Sequence, residues 1–338
     1  MPLILLQPDQ LPRHERELRA APAGPGHRML ASRLSGGRAA AGTLEALRIL
    51  PLALNGAPLP GPQAGAPQSD VAYTYDAQLR EYDAFFGVAR VELPRSGVFP
   101  QSLLVAYRSL LEEGLASGTR MSWAEWSALC TTFHAMIGFV AGREARPGPL
   151  PVAEPPLLRW HMDPHRRWRT GHHVFFVLTQ SLIVVLGCFR EARREGDDGL
   201  AQRMLRLAAQ LLGGSSAAFV FAAEFSAGQY QAQVRPAMEP PAVAAGFSGL
   251  LSPDHHYLVR LMAKLRPALR DLPAELAEDH RLFVAALEAA YESHKYVCAR
   301  FGGDRGASLR MSAASAIPAV DVIHGLKVAR TKLVRSPR

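Results

Sequence analysis

Apolar residues recur at the three- and four-residue spacing of an α-helix through most of this 338-residue chain. Ser122 stands three residues before Glu125, which is a capping-box spacing, and Ser252 precedes Pro253 as an N-cap precedes a first-turn proline. No run of alternating apolar and polar residues is long enough for a sheet. The pattern predicts an all-α fold with helices over 101–116, 122–141, 172–195, 199–226, 253–269, 274–300 and 314–333.

Two segments rich in proline and glycine divide the chain. Residues 20–70 are rich in Pro, Gly and Ala, most densely over 55–67, and a shorter break covers 146–156. Proline removes backbone donors and glycine opposes regular structure. We therefore expect an N-terminal extension over 1–70 and one all-helical domain over 71–338.

Hydropathy and charge exclude several classes of protein. The longest apolar stretch, 174–189, has 16 residues and contains Thr179, Gln180 and Ser181, whereas a membrane span needs roughly 20 predominantly apolar residues. The apolar run at residues 3–6 is too short for a signal segment. The net charge of +8 is scattered along the chain, so no patch points to nucleic acid. We expect a cytoplasmic protein with no membrane or nucleic-acid partner.

The predicted helix over 278–301 places a histidine and a cysteine on one apolar stripe. His294 and Cys298 lie one turn apart, about 5.4 Å along the helix axis. A buried imidazole is a good axial ligand for haem iron, and a sulfur at this offset suits the porphyrin edge. The spacing predicts haem held by His294 with one thioether to Cys298. The alternative is a hydrogen-bonded core histidine beside an inert buried cysteine.

A second histidine strengthens the haem interpretation. His255 shares a helix face with Leu258 and Met262, so it is expected to point inward, while His256 lies on the flank. Two inward histidines fit either side of a haem plane. They equally fit zinc with Cys298 as a third ligand, and the choice between His255 and His256 stays open.

The order of these residues resembles a known family. His255, 38 intervening residues, His294-Lys-Tyr-Val-Cys298 and a glycine-rich loop over 302–306 resemble the haem-dependent aromatic hydroxylases of the saframycin type, within the tryptophan 2,3-dioxygenase-like superfamily. The resemblance covers about residues 70–335 and implies a helical bundle of the tryptophan dioxygenase type. It implies that His294 is the proximal iron ligand, Cys298 forms the thioether, and His255 is the second axial ligand or distal base. It also implies hydroxylation of a tyrosine ring with hydrogen peroxide as oxidant.

Other polar residues are candidates for the rim of the pocket. Arg166 and Arg169 lie in a segment dense in His, Arg and Trp, and they are expected to pair with the haem propionates. The alternative is a solvated loop before the helix at 172, from whose start His172 or His173 could face the pocket. Glu224 and Tyr230 are weaker candidates for an acid and a hydroxyl partner.

The glycine-rich loop after the 278–301 helix is the expected substrate-binding segment. Gly303 permits close backbone approach, and Ser308 lies in the same loop. Arg305 is expected to hold the α-carboxylate of an amino acid, because its guanidinium binds carboxylates in a bidentate way. The alternative is that Arg305 only caps the preceding helix.

The resemblance therefore implies a haem-dependent hydroxylase of tyrosine or 3-methyltyrosine in natural-product biosynthesis. Hydrogen peroxide or oxygen is the expected oxidant, and homodimer formation is left open. The first alternative is a dioxygenase or rearranging enzyme acting on an indole. The second is a zinc protein or a non-catalytic haem binder.

Overall fold

The computed structural model describes residues 2–19, 28–32, 47, 50, 71, 73–91, 95–143, 155–156, 162–245, 247–302 and 318–335. The predicted all-α class is confirmed, since the described elements are helices apart from one two-stranded sheet. The helices are α1 Glu15–Arg19, α2 Ala77–Phe86, α3 Arg95–Ser117, α4 Trp123–Val140, α5 Pro164–Glu195, α6 Asp198–Ala222, α7 Ala227–Gln229, α8 Pro253–Lys264, α9 Arg266–Arg270, α10 Ala277–Gly302 and α11 Ala319–Val334. A π-helical turn covers Tyr230–Val234, and short 3₁₀ turns cover Pro8–Gln10, Arg235–Met238, Gly249–Leu251 and Ala274–Leu276.

Helix α5 is the centre of the fold. It packs most extensively against α6 and also contacts α3 and α8, while α6 in turn packs against α4 and α10. The sequence predicted that this helix begins at residue 172, but it begins at Pro164. The cause is a start signal: the side chain of Asp163 accepts hydrogen bonds from the backbone N–H groups of His165 and Arg166, and proline occupies the first helical position. The apolar stretch 174–189 is the buried core segment of this helix, because every residue of that stretch except Phe175 is buried.

Helices α5 and α6 are long and apolar enough to cross a membrane by length and composition. Their most apolar stretches are 83% and 61% buried inside the protein. Apolar helices that are buried to this extent also occur in the cores of proteins that do not span a membrane. The hydropathy of α5 and α6 is thus accounted for by the packing of the other helices around them.

The first residues of the chain belong to the core. Strand β1, Leu3–Leu6, pairs in parallel with β2, Val88–Val91, and Leu5 and Leu6 are fully buried. The sequence placed the start of the folded part near Asp70 and predicted no sheet. It missed this strand because four apolar residues carry no local signal for a partner more than 80 residues away. Most of residues 20–70 lie outside the described residues, so an extension there stays a prediction.

One close approach between helices shapes the interior. A Cβ atom at Gly171 of α5 would lie 2.3 Å from the Cβ of Ala222 at the end of α6. Only glycine allows this contact. Beyond Ala222 the chain turns, Ser226 and Gln229 form a capping box, and the π-helical turn follows. Tyr230 in this turn and Arg235 directly after it both face the interior beside α5.

Candidate functional site

A cavity of about 270 Å³ lies between α5, α6, α8, α10 and α11. Its walls are mainly aromatic and aliphatic side chains, and the imidazoles of His172, His255 and His294 also line it. Among the lining residues that the structure describes, Arg235 is the one with a permanent charge. Such a cavity suits a largely apolar ligand that carries an anionic group.

His294 and Cys298 both face this cavity from α10, as their shared helix face predicted. The His294 ring stacks on Phe219, with ring centroids 4.7 Å apart and planes 12° from parallel. Burial lowers the pKa of His294 to about 4, so the imidazole is neutral near pH 7. A neutral imidazole held by stacking offers a nitrogen lone pair to a metal.

His255 faces the same cavity from α8, whereas the exposed His256 is not among its lining residues. Burial and, to a smaller extent, the nearby guanidinium of Arg330 lower the pKa of His255 to about 3. The Nε2 atom of His255 is buried without a hydrogen-bond partner among the described residues. A buried nitrogen without a partner costs about 1–3 kcal/mol, so this atom fits a ligand that binds in the cavity.

Cys298 differs from the other two cysteines. It lines the cavity and is partly exposed to it, whereas Cys130 and Cys188 are buried and do not contribute to the cavity. Burial raises the pKa of Cys298 to about 11, so its sulfur is a thiol at neutral pH. Within the described part of the chain, no three or more His, Cys, Asp or Glu side chains form a metal-binding group. The zinc alternative therefore has no support from the geometry.

The structure does not bring Arg166 and Arg169 to the cavity. Both are exposed on α5 outside the lining, and Arg166 pairs with Glu113, with Nε and Oε2 2.7 Å apart. The earlier start of α5 explains this, because Trp168 and His172 face the cavity at helical spacing and the two arginines fall on other faces. Glu224 is also not among the residues that line the cavity, and its carboxylate forms an ion pair with the buried Arg167.

The predicted substrate residues Gly303, Arg305 and Ser308 lie outside the described residues, so their roles stay predictions. Tyr230, a weaker candidate, does line the cavity, and burial raises its pKa to about 12. The sequence missed Arg235, whose Nε lies 2.8 Å from Glu239 Oε1. No sequence signal points to Arg235, because its place depends on the π-helical turn before it, a feature often found at functional sites.

Three comparisons with known proteins agree with this geometry. The family model described as SfmD 3-methyl-L-tyrosine peroxygenase matches residues 4–279. The chain belongs to this family. It is 34% identical over 249 residues to the 3-methyl-L-tyrosine peroxygenase of Streptomyces lavendulae, an overlap of 72% of this chain and 67% of that one. It is similar to the crystal structure of reduced SfmD soaked with sodium hydrosulfite, with a TM-score of 0.71 and 30% identity, covering 87% of this chain and 96% of that chain.

Membership in the peroxygenase family confirms the resemblance to the saframycin-type hydroxylases. It also confirms that the chain is an oxidising enzyme of the peroxygenase type. The family match ends at residue 279, before His294 and Cys298. The roles of these two residues therefore rest on their place in the cavity.

Proposed function

We propose that this peroxygenase binds haem in the cavity and hydroxylates the aromatic ring of tyrosine or 3-methyltyrosine in natural-product biosynthesis. The observation that carries the proposal is the convergence of His294, Cys298 and the unpartnered Nε2 of His255 on one apolar cavity. Family membership supplies the reaction class and favours hydrogen peroxide over oxygen as the oxidant.

The donor set fits haem better than a bare metal ion. His294 and His255 face the cavity from α10 and α8 and would hold the haem iron, and Cys298, one turn beyond His294, would form a single thioether. The bound haem would supply peroxide activation and oxygen transfer. The neutral Nε2 of His255, which has no hydrogen-bond partner among the described residues, could accept a proton from the oxidant. The apolar walls exclude water and hold the substrate ring.

Arg235 supports an amino acid as the substrate. Of the described lining residues, only Arg235 carries a permanent charge, and this charge acts on the nearby Tyr230. The lining rings of Tyr230, Trp168 and Phe301 contact one another. The Tyr230 and Phe301 rings are stacked, with centroids 4.3 Å apart. A guanidinium beside an aromatic wall suits a molecule with a carboxylate and an aromatic ring. Arg305 stays a second candidate for the carboxylate.

The substrate proposal is tested by product analysis. Haem-loaded protein with hydrogen peroxide is expected to convert tyrosine or 3-methyltyrosine to a mono-oxygenated catechol, because the family reaction is a ring hydroxylation. Mass spectrometry of the products measures this. Ring-opened or N-formyl products from tryptophan, without a catechol from tyrosine, would show an indole dioxygenase instead.

The same assay separates the two carboxylate candidates. Loss of a charge-assisted carboxylate contact costs about 1.5–3 kcal/mol, which raises KM for the amino acid by roughly one to two decades. Arg235→Ala and Arg305→Ala are compared with tyrosine and with p-cresol, which has no carboxylate. The residue that binds the carboxylate affects tyrosine alone, and equal damage to both substrates assigns it to haem or to structure.

Covalent attachment of haem is tested by extraction. Cys298→Ala is expected to release its haem into acidified acetone, because the one cysteine of the cavity is lost, while Cys130→Ala and Cys188→Ala retain it. Absorbance of the organic phase measures the released haem. A wild-type protein that already releases its haem contradicts the thioether.

A further inference from the structure

A third imidazole faces the cavity, in addition to the two that would hold the haem iron. His172 of α5 lines the same cavity as His255 and His294. Its ring is clamped between two aromatic rings: Phe86 stacks on it with centroids 4.3 Å apart and planes 16° from parallel, and Trp168 lies at 4.3 Å on a tilt. The ring orientation is therefore set by packing before any ligand binds.

The hydrogen bonding of His172 defines its tautomer. Its Nδ1 lies 2.8 Å from the carbonyl oxygen of Trp168, and because a carbonyl can only accept, Nδ1 carries the hydrogen. Burial lowers the pKa of His172 to about 3, so the ring is neutral. Nε2 then holds a lone pair, and no described residue bonds to it. Nδ1 is bonded and Phe86 stacks on the ring, whereas Nε2 is not among the fully buried atoms without a partner, so the edge with Nε2 is left for the cavity.

In two other histidines of the protein, His173 and His280, the Nε2 atom is hydrogen-bonded to the backbone. His173, the next residue, donates from Nε2 to the carbonyl oxygen of Phe86 at 2.6 Å. His280 donates in the same way to the carbonyl oxygen of Val334 at 2.7 Å. Those nitrogens carry hydrogens and are satisfied by the backbone. His172 instead presents a hydrogen-bond acceptor to the cavity.

We propose that Nε2 of His172 accepts a hydrogen bond from the phenol hydroxyl of the bound substrate. This inference rests on the proposed function, in which His294 and His255 would hold the haem iron and His172 would be available to the substrate. A neutral acceptor in an apolar pocket selects ligands with an O–H donor over otherwise similar ligands without one, because the unmatched acceptor stays unpaired. The contact also fixes the rotation of the ring, and with it the ortho carbon presented to the oxidant.

The test compares binding of tyrosine and phenylalanine, which differ only in the hydroxyl. Dissociation constants are measured by calorimetry on haem-loaded protein without peroxide. Wild-type protein is expected to prefer tyrosine. His172→Phe keeps an aromatic ring between Phe86 and Trp168 but has no acceptor, so the preference is expected to fall about two- to twelvefold. His172→Gln, whose side-chain oxygen reaches a similar position, is expected to restore part of it.

His173→Ala is the matched control, because its imidazole bonds only to the backbone and should leave the ratio unchanged. An unchanged ratio in His172→Phe, with normal haem content, overturns the inference and leaves the proposed function intact. A ferric spectrum of His172→Phe altered as strongly as that of His294→Ala would make His172 an iron ligand and also overturn it. A wild-type protein that takes up no haem contradicts the proposed function itself.

Discussion

His294→Ala is expected to lose most of its haem or to shift its absorption spectrum strongly, measured as the Soret band per protein after desalting. The imidazole faces the cavity, is neutral, and is held by stacking on Phe219, so it is already arranged for an axial bond. Alanine removes that bond and leaves only the cavity walls and Cys298. A thioether alone would retain some haem with a strongly shifted spectrum. Full retention with an unchanged spectrum would contradict axial ligation by His294.

His255→Ala separates the two axial positions. It is expected to keep the haem but to change its spin state, because His294 would still hold the iron while the second imidazole is lost. His256→Ala is the control, since this neighbour is exposed and is not among the lining residues of the cavity. A spectral change found only in His256→Ala would show that the neighbouring histidine binds the iron.

Arg90→Ala is expected to lower the free energy of unfolding by about 3–5 kcal/mol, the usual cost of breaking a buried ion pair. Arg90 on β2 lies between two carboxylates, with Nε 2.6 Å from Asp83 Oδ2 and Nη2 2.7 Å from Asp254 Oδ2. The three side chains are at most 2% exposed. Removing the guanidinium leaves both carboxylates buried without their cation. Denaturant unfolding of the haem-free protein, monitored by circular dichroism, measures the change.

Arg281→Ala is the matched control for this prediction. Arg281 also pairs with a carboxylate, that of Glu278, but both side chains are more than 60% exposed. Solvent screens such a pair, so the denaturant concentration at the midpoint of unfolding is expected not to change. Equal midpoint shifts in the two variants would contradict the importance of burial. Asp254 directly precedes His255, so the Arg90 network also anchors the start of the helix that carries this histidine.

The sequence alone was sufficient for features that depend on local spacing. The 3.6-residue period places His294 and Cys298 on one helix face. It favoured His255 as the inward neighbour, but the choice between His255 and His256 needed the cavity lining. Start signals are local too: Asp163 before Pro164 is visible in the sequence, although the prediction passed over it in favour of the apolar stretch that follows. The all-α class follows from the same periodicity.

The tertiary structure decided what depends on contacts between distant residues. Pairing of β1 with β2 and the buried Arg90 network join residues more than 80 positions apart, and no local pattern encodes such pairing. The π-helical turn brings Arg235 to the cavity, while the face of α5 directs Arg166 and Arg169 away from it. His172 is one of twelve histidines in the sequence. Its free Nε2 became evident only from the rings that clamp it and the carbonyl that binds Nδ1, because a tautomer is set by surroundings that spacing does not record.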